Sequence, residues 1–433
     1  MNILIVSQYF WPEEFAVNTL TRSLHKKGHK VEVLTGNPNY PEGRVYDGRK
    51  AWFCGHERWR DIIIHRVPLI SRGMQSGIRL ALNYLSFVVF GIVLAPWLLR
   101  GRKYDAILVY AVSPLLMSLP ASFIGWIKGC PVALWVQDLW PESLQATGYV
   151  HSRFVLSLIK RSVRFIYQRT DLILIQSKGF RTSVAKLSRN IPIEYYPNSA
   201  DANFFSPRPL ELPSISALEN GFSILFAGNT GTAQAVEVIL EAADLLRDEA
   251  SVQFVVLGKG SRWKWMKEQA SIRGLKNLHL EGQFPSEIMP GLMRKASALL
   301  VTLADDEIFT LTIPSKVQAY LATGVPIIAC LNGEGARIVT EARAGLAVPA
   351  QNAKALVSAV YELRAMSEGE RKAMGERGRA YFKEHFDHDL LVNRLIQILS
   401  NLSQCFRAGV KPVIIAGSES ASTPNVCELN SIL

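Results

Sequence analysis

Two glycines in a turn after an apolar run are the first feature of this sequence that could do chemistry. The run 222–228 (FSILFAG) leads through Gly228, Asn229 and Gly231 into a predicted helix at 233–246. Glycine lets backbone N–H groups approach an anion closely, and the start of a helix adds partial positive charge. The turn therefore predicts a pyrophosphate site, although a strand-to-helix turn of this kind is as often purely structural.

Two further turns in the same half of the chain repeat this pattern and add cations. They contain Gly258, Lys259, Gly260 and Arg262 after one apolar run, and Pro314, Ser315 and Lys316 at the start of a predicted helix. Proline at a helix start leaves the first N–H groups exposed, and a nearby lysine would neutralise charge on a leaving phosphate. We predict this catalytic role for Lys316. The alternative for these cations is ordinary solvated surface, where most lysines and arginines lie.

Acidic residues follow two strand-like runs in the first half of the chain. Asp138 comes after the run 132–137, and Glu13 and Glu14 come after the first run. The carboxyl ends of parallel strands carry the ligand sites of open α/β sheets, so these carboxylates are candidates for positioning a substrate. We predict catalytic roles for Asp138 and Glu14. The alternative is helix capping, which also suits an acidic residue before a turn.

Several other reaction types lack their signature motifs. The sequence has no GxSxG, GxxxxGK[ST] or HExxH motif, so a serine hydrolase, an ATPase and a metallopeptidase lose their main support. Its five cysteines form no CxxC pair and no cluster with histidine, so we expect reduced thiols, no metal site and a cytoplasmic location. The N-terminal stretch has no basic region and only a short apolar run, so it predicts a strand and not an export signal.

An excess of positive charge indicates an anionic partner. The 433 residues include 48 Lys plus Arg and 37 Asp plus Glu, which gives a net charge of +11. Nucleic acid is disfavoured because the cations are scattered and no nucleic-acid-binding motif is present. The apolar segment 81–99, flanked by basic residues and interrupted by polar residues and a proline, predicts a helix that lies on a membrane surface. The stretches 115–129 and 154–169 add lipid-facing surface; the alternative for all three is a buried core helix.

The spacing of the apolar runs predicts two α/β domains. Runs at 2–7, 30–35, 62–67, 106–111, 132–137 and 172–177, and then at 222–228, 254–260, 278–283, 298–303 and 326–331, alternate with helical stretches. This alternation predicts buried parallel strands in two doubly wound, Rossmann-like sheets that face each other across a cleft.

Four segments follow from this pattern. The first domain is expected at 1–200 and the second at 201–385, and the polar, proline-rich stretch 197–221 predicts the linker. The next helical stretch predicts a crossover helix at 386–405 that returns to the first domain. The remainder at 406–433 predicts a poorly packed tail.

The motifs resemble those of the GT-B glycosyltransferases of family 4. The matching pieces include SQYFWPE at 7–13, VQDLWPESL at 136–144, LFAGNTGTAQAVEVILEAADLL at 225–246, LHLEGQFPSEIMPGLM at 278–293 and IPSKVQAYLATGVPIIA at 313–329. They are most similar to the branch that builds bacterial O-antigen, capsule and colanic acid, including N-acetyl-L-fucosamine transferases. The resemblance implies a retaining, metal-independent transferase with an acceptor domain at 1–200 and a nucleotide-sugar-binding domain at 201–385.

The resemblance also extends the set of nucleotide-sugar-binding residues to Gln283 and Phe284. The paired glutamates with which the family binds ribose are replaced here by Leu311 and Ala319. The usual phosphate-binding Arg and Lys are replaced by Asn229 and Gln234, which leaves the cationic role to the lysines and arginine named above.

Two further departures lie in the first half. The family histidine that contacts the donor sugar is replaced by Gln137 or Asp138, and Glu14 and Phe15 stand where the first loop usually has two glycines.

The function that the resemblance implies is transfer of an N-acetylated amino sugar from a UDP-sugar, without a cofactor. The acceptor would be an undecaprenyl-diphosphate-linked saccharide at the inner face of the plasma membrane, in O-antigen biosynthesis. Two alternatives remain open. One is a nucleotide-sugar epimerase on the same fold, which needs no lipid acceptor, and the other is a non-enzymatic, membrane-peripheral assembly partner that no longer binds nucleotide.

Overall fold

A computed structural model describes residues 1–73, 77–146, 150, 152–200, 204 and 211–412. The chain divides into two units. Unit 1 contains Met1–Pro197 and the chain from Asp389 onward, and unit 2 contains Asn198–His388. The junction expected at 200–201 lies beside the observed one, whereas most of the expected tail at 406–433 lies outside the described residues.

Unit 1 is built on an eight-stranded sheet. Its strands are Asn2–Val6 (β1), Lys30–Gly36 (β2), Gly55–Trp59 (β3), Ile62–Val67 (β4), Ala106–Ala111 (β5), Val132–Val136 (β6), Leu172–Ile175 (β7) and Ile193–Tyr195 (β8). They lie in the order β3-β4-β2-β1-β5-β6-β7-β8, and β3 runs antiparallel to β4. The sequence did not predict β3 or β8, because β3 is a partly exposed edge strand with charged side chains and β8 has only three residues.

Six α-helices in the described residues accompany this sheet before the chain enters unit 2. They are Ala16–Lys26 (α1), Gly77–Leu98 (α2), Ser118–Lys128 (α3), Glu142–Ala146 (α4), Arg153–Tyr167 (α5) and Phe180–Ser188 (α6). Helix α2 contains most of the apolar segment 81–99. Among the described residues it is the one helix long and apolar enough to cross a membrane, and a third of its most apolar stretch is buried in the protein.

Unit 2 contains a six-stranded, entirely parallel sheet. Its strands are Phe222–Ala227 (β9), Val252–Leu257 (β10), Leu278–Gly282 (β11), Ala298–Thr302 (β12), Ile327–Cys330 (β13) and Gly345–Val348 (β14), in the order β11-β10-β9-β12-β13-β14. Its helices are Ser216–Glu219 (α7), Glu237–Leu245 (α8), Trp263–Arg273 (α9), Met289–Arg294 (α10), Glu307–Thr310 (α11), Ser315–Thr323 (α12), Glu334–Glu341 (α13), Ala353–Ala365 (α14) and Glu368–His385 (α15). Edge strand β14 was not predicted, because its residues are only partly buried and form no strongly apolar run.

In both sheets the strands that directly follow the first strand lie on one side of it, and the later strands lie on its other side. In unit 1 the chain builds outward from β1 through β2 and then adds β5 on the other side of β1. In unit 2 it builds from β9 through β10 and β11 and then adds β12 on the other side of β9. The carboxyl ends of strands at such reversals are the usual ligand positions in doubly wound sheets. The predicted α/β, doubly wound class is confirmed.

The last described helix, His388–Arg407 (α16), packs on unit 1. One of its faces joins the core formed with α1 and the sheet, and its buried residues in that core are Leu391, Val392, Leu395, Ile398, Leu399 and Leu402. Tyr196 after β8 donates a hydrogen bond to the carbonyl oxygen of Leu391 (3.0 Å). The helix begins near the expected position of 386 and extends slightly past 405.

A buried cluster of charged and polar side chains joins three parts of unit 1. The carboxylate of Glu32 on β2 accepts hydrogen bonds from Arg102 (2.5 Å), Tyr104 (2.7 Å) and His65 on β4 (3.0 Å). The ring of His56 on β3 lies 2.8 Å from that of His65, nitrogen to nitrogen. Burial alone would raise the pKa of Glu32, but the hydrogen bonds from His65 and Tyr104 and the nearby positive charges lower it to about 2.

Replacement of Glu32 by glutamine is expected to lower the free energy of unfolding of unit 1 by about 3 kcal/mol at pH 7, because Arg102 and its neighbours lose their counter-charge. The native pKa of Glu32 is below its unfolded value, so its stabilisation is present above about pH 4.5 and is lost as pH falls toward 2. Urea unfolding across this pH range should therefore show that the free energy of unfolding falls less with decreasing pH in the variant than in wild type. The exposed Glu14→Gln variant is the control; equal pH dependence of wild type and Glu32→Gln would contradict the assignment.

Candidate nucleotide-sugar site

The turns that follow β9 and β10 lie directly against each other in unit 2. A Cβ atom placed on Gly258 would be 1.9 Å from the carbonyl oxygen of Gly228, and one on Gly260 would be 2.2 Å from Oδ1 of Asn229. Only glycine permits approach this close. The structure therefore brings together four of the residues that the sequence singled out.

The amides of three predicted glycines are already used within the protein. Gly228 donates to the carbonyl of Leu257 (2.7 Å), Gly258 to that of Gly282 (2.5 Å), and Gly231 to Oε1 of Gln234 (3.1 Å). The expectation that these amides face an anion is therefore wrong, and Gly258 instead serves the close packing of the two turns. The N–H groups of Asn229, Lys259 and Gly260 form no hydrogen bond within the described chain and remain available to a ligand.

The helix expected directly after the first glycine turn begins later than predicted. Residues Thr232–Gln234 form a short 3-10 turn, and Ala235 follows with a left-handed backbone (φ 44°), so α8 starts only at Glu237. The cause is the side chain of Gln234, which folds back on the Gly231 amide and closes the turn. The expected helix N-terminus at 233 is therefore absent, and the first residue of α8 is acidic.

Lys316, in the first turn of α12, reaches the turn after β9. Its Nζ lies 3.5 Å from the carbonyl oxygen of Asn229 and 3.6 Å from the centroid of the Phe226 ring. Its Cε lies 2.7 Å from the position that a Cβ on Gly228 would take, so the glycine makes room for the lysine. No carboxylate in the described part of the chain pairs with Lys316, and loss of water lowers its pKa to about 7. This ammonium group is thus placed to neutralise an anion bound at the turn.

The other two predicted cations of this site, Arg262 and Lys259, differ in whether a carboxylate of the described residues compensates their charge. Arg262 bonds Glu237 (2.5 Å) and stacks on the ring of Trp265 at 4.0 Å, so its charge is already compensated. The structure makes Arg262 a link between the β10 turn and the start of α8, which corrects its expected role as a phosphate-binding cation. Lys259 is exposed, and its side chain passes Gly282 at the end of β11.

The remaining predicted residues of this set flank the glycine turns. Gln283 directly follows β11 and is exposed, whereas Phe284 packs against the apolar core of unit 2. Pro314 occupies the N-cap position of α12 with an extended backbone, and Ser315 is the exposed first residue of that helix. The N–H groups of Ser315 and Lys316 form no hydrogen bond within the described chain, whereas that of Val317 donates to the Pro314 carbonyl (2.9 Å).

Asp138 lies after β6 in unit 1, at the carboxyl edge of its sheet. Burial raises its pKa to about 6. Its negative charge, added to burial, raises the pKa of Tyr110 on neighbouring β5. Helix α4 begins only at Glu142, so Asp138 does not cap it. A carboxyl group with this pKa can bind a sugar hydroxyl either as an acceptor or, when protonated, as a donor.

The two acidic residues after β1 have different surroundings. Glu13 is buried and accepts hydrogen bonds from the backbone N–H groups of Asn39 (2.7 Å), Tyr40 (2.7 Å) and Phe10 (3.2 Å). It therefore ties the loop after β1 to the loop after β2 and does not cap α1, whose N-cap residue is Phe15. Glu14 is exposed and remains a predicted site residue.

Sequence analysis missed two buried polar residues in the elements that form the site. The hydroxyl of Thr230 and both polar atoms of the Gln318 side chain are buried without a hydrogen-bond partner in the described parts of the chain. Thr230 lies against Gly260, and Gln318 is on α12. Both residues lie inside motifs quoted above, but no local pattern shows that their polar atoms are buried.

Two protein-family models match the chain, one in each half. The model described as "Glycosyl transferase 4-like domain" matches residues 14–199, and the one described as "Glycosyl transferases group 1" matches residues 221–365. The chain belongs to the glycosyltransferases of the family 4 type. The second match includes the glycine turns and Lys316, and the first includes Asp138 and Glu14.

Relatives of this glycosyltransferase include bacterial surface-polysaccharide enzymes. WcaI of Escherichia coli, named as a colanic acid biosynthesis glycosyl transferase, is 25% identical over 346 residues, which are 75% of this chain and 82% of WcaI. WbjE of Pseudomonas aeruginosa, named as a glycosyltransferase, is 27% identical over 272 residues, which are 61% of this chain and 67% of WbjE.

Solved structures agree with the GT-B fold of this glycosyltransferase. Sucrose-phosphate synthase from Thermosynechococcus elongatus has a TM-score of 0.67 at 16% identity, over 94% of this chain and 99% of that one. Anabaena HepE, solved in complex with UDP and glucose, has a TM-score of 0.61 at 14% identity, over 92% of this chain and 99% of HepE. At these identities the likeness concerns the fold alone.

Proposed function

We propose that this glycosyltransferase transfers an N-acetylated deoxyamino sugar, such as N-acetyl-L-fucosamine, from a UDP-sugar to an undecaprenyl-diphosphate-linked saccharide. The reaction would serve bacterial O-antigen or related surface-polysaccharide synthesis at the cytoplasmic face of the inner membrane. The surface-polysaccharide enzyme among its relatives and the UDP bound by HepE support the substrate class. The observation that carries the proposal is the position of Lys316, which is held against the glycine turns of unit 2 and has no carboxylate partner among the described residues.

The reaction needs a group that stabilises the departing diphosphate. Lys316 and the first N–H groups of α12 provide positive charge at one point, and the open amides of Asn229 and Gly260 provide donors beside it. Fixed donors of this kind stabilise charge as it develops on the leaving phosphate, without reorganisation of solvent. In the proposed mechanism the anomeric configuration is retained, no metal or cofactor is required, and the acceptor hydroxyl passes its proton to the leaving phosphate.

Unit 1 would contribute the groups that position the acceptor or the donor sugar. Asp138 is half-buried at the carboxyl edge of the sheet, and Glu14 is exposed on the loop after β1. Their contribution would be orientation of a hydroxyl group for attack on the anomeric carbon.

Mass spectrometry of membranes that contain the protein, incubated with a panel of UDP-N-acetyl sugars, tests the proposal. We expect one donor to increase the mass of a lipid-linked saccharide by one sugar residue. Formation of an epimer from UDP-sugar in the absence of membranes would instead support an epimerase on the same fold. Absence of calorimetric binding at millimolar UDP would support a non-enzymatic assembly partner.

Binding of a UDP-sugar is expected to be coupled to proton uptake by Lys316. At pH 8 a lysine with a pKa of about 7 is mostly neutral, and the pyrophosphate should restore its charge, so about 0.9 proton is taken up per ligand bound. At pH 6 the lysine is already charged and uptake should nearly vanish. Calorimetry with UDP-N-acetylglucosamine in buffers of different ionisation enthalpy measures this number. If the Lys316→Met variant took up as many protons per ligand as wild type, Lys316 would not be the group that gains the proton.

A further inference from the structure

Three helices of unit 1 expose large apolar side chains to solvent. Helix α2 packs against α3, and α3 packs against α5. Their exposed large apolar residues are Ile78, Leu82, Leu85, Val89, Val93 and Trp97 on α2, Trp126 and Ile127 on α3, and Phe154, Val155, Leu158 and Phe165 on α5. We define these twelve residues as the apolar face. Soluble proteins rarely expose so many large apolar side chains on adjacent helices, so this face is expected to be covered by a partner.

The charged residues of the three helices that form the apolar face are all basic. Helices α2, α3 and α5 contain no Asp or Glu, although the whole chain has 37 of them. Helix α5 exposes Arg153, Lys160, Arg161 and Arg164 beside its apolar residues. An apolar face with only basic neighbours complements an anionic lipid surface, and two copies of it brought together would repel each other.

Aromatic residues on the apolar face suit the boundary between lipid and water. Trp97 is 68% exposed, Trp126 is 78% exposed and Phe154 is 78% exposed. The ring of the exposed Trp52 packs edge-on against Phe90 of α2 at 5.8 Å and extends this surface. Tryptophan is enriched at the headgroup level of membranes because one side of its ring is apolar and its N–H is polar.

The opposite side of α2 is fixed to the sheet of unit 1. Asn83 accepts a hydrogen bond from Gln8 after β1 (2.7 Å) and donates one to the carbonyl of Ile70 (2.6 Å). Ser86 accepts a hydrogen bond from the Ile70 amide (3.0 Å). Gly91 lies so close to Pro120 of α3 that a Cβ would approach it to 2.8 Å. A helix that spanned the bilayer would have to break these contacts and place Asn83 in hydrocarbon.

From these contacts we infer that the α2–α3–α5 face of unit 1 docks on an anionic lipid bilayer, with α2 lying in the interface and not across the membrane. This docking goes beyond the transfer reaction and does not depend on which sugar is transferred. It makes unit 1 a monotopic module whose attachment combines apolar insertion with attraction between its α5 cations and lipid headgroups. Both contributions can be measured without a sugar donor.

Sedimentation of the full chain with lipid vesicles tests the docking. Wild type should bind vesicles that contain phosphatidylglycerol at least tenfold more tightly than pure phosphatidylcholine vesicles, and added salt should weaken the difference. The double variant Trp126→Glu/Phe154→Glu should lose at least tenfold in affinity for both. The matched control is Leu245→Glu/Ile272→Glu, which changes two exposed apolar residues of unit 2 and should bind as wild type does.

A second variant separates the electrostatic from the apolar contribution. Lys160→Gln/Arg161→Gln/Arg164→Gln should remove most of the preference for anionic vesicles and leave binding to neutral vesicles unchanged. Failure of wild type to bind anionic vesicles would overturn the inference. So would a stable dimer that Trp126→Glu/Phe154→Glu dissociates, because a second copy would then be the occupant of the face.

The orientation of α2 has its own test. Cysteines are introduced one at a time at Gly77, the exposed first residue of α2, and at Lys103, which is exposed after the end of α2, in a cysteine-free chain that is bound to sealed vesicles. Both should react with an impermeant maleimide added outside. A site that reacts only after detergent is added would show a spanning helix and would contradict the inferred orientation. Calorimetric binding of UDP by the docking variants should equal wild type, so loss of docking is distinguishable from loss of the proposed transferase site.

Discussion

Replacement of Lys316 by alanine is expected to reduce the turnover number about 100-fold, which corresponds to about 3 kcal/mol of transition-state stabilisation. The reason is that the structure holds Lys316 against the turn after β9, where no carboxylate of the described residues compensates its charge. Because its ammonium group lacks such a partner, its removal leaves no buried counter-charge behind. We therefore expect little change in the melting temperature of the variant.

The control for this experiment is Lys259→Ala. Lys259 lies in the neighbouring turn but is exposed, so solvent screens its charge. Its removal should reduce the turnover number about fivefold or less. Initial rates with the donor identified by the mass-spectrometric panel, measured at saturating donor and acceptor, compare the two variants. If Lys316→Ala turned over near the wild-type rate, or if Lys259→Ala lost more than Lys316→Ala, the leaving-group role of Lys316 would be excluded.

Replacement of Gly258 by alanine should lower the free energy of unfolding of unit 2 by about 3 kcal/mol and abolish donor binding. The new Cβ would lie 1.9 Å from the carbonyl oxygen of Gly228, and the backbone at Gly258 has a φ of 142° that alanine rarely adopts. The turns after β9 and β10 would have to separate. That movement would displace the loop against which Lys316 rests.

Gly274→Ala is a matched control for this substitution. Gly274 also has a positive φ, of 63°, but a Cβ placed there would meet no atom within 4 Å. Its replacement by alanine should lower the free energy of unfolding of unit 2 by only about 1 kcal/mol, because backbone strain is the sole cause. Urea unfolding followed by a probe in unit 2, together with calorimetry with UDP, separates the two variants. Similar losses in both would show that backbone strain, and not the contact between the two turns, decides the effect at Gly258.

The sequence predicted those parts of the fold that depend on local pattern. Eleven predicted runs coincide with strands because buried parallel strands are continuous apolar stretches. The strands it missed lie at or beside sheet edges, where exposure gives them a mixed composition: β3, β8 and β14. Lys316 could be found because proline and serine mark the start of its helix, and a helix start has a recognisable local signature.

The errors in the candidate site arise from contacts between distant residues. Arg262 pairs with Glu237, and Gln234 turns back on Gly231, so a cation and an amide that looked free are occupied. The cluster around Glu32 depends on β2 lying next to β4, and a sequence does not state which strands are neighbours. Composition and motif therefore predicted candidate residues, whereas the hydrogen-bond partners of those residues required the fold.

The return of α16 to unit 1 determines how this enzyme can be divided. A fragment that ended at Pro197 would leave bare the apolar surface that Leu395 and Leu399 cover, and such a fragment is expected to aggregate. Chimeras that combine the first half of one relative with the second half of another should therefore take the C-terminal helix from the same parent as the N-terminal half. Split-protein or domain-exchange designs that follow the linear order of the chain would violate this rule.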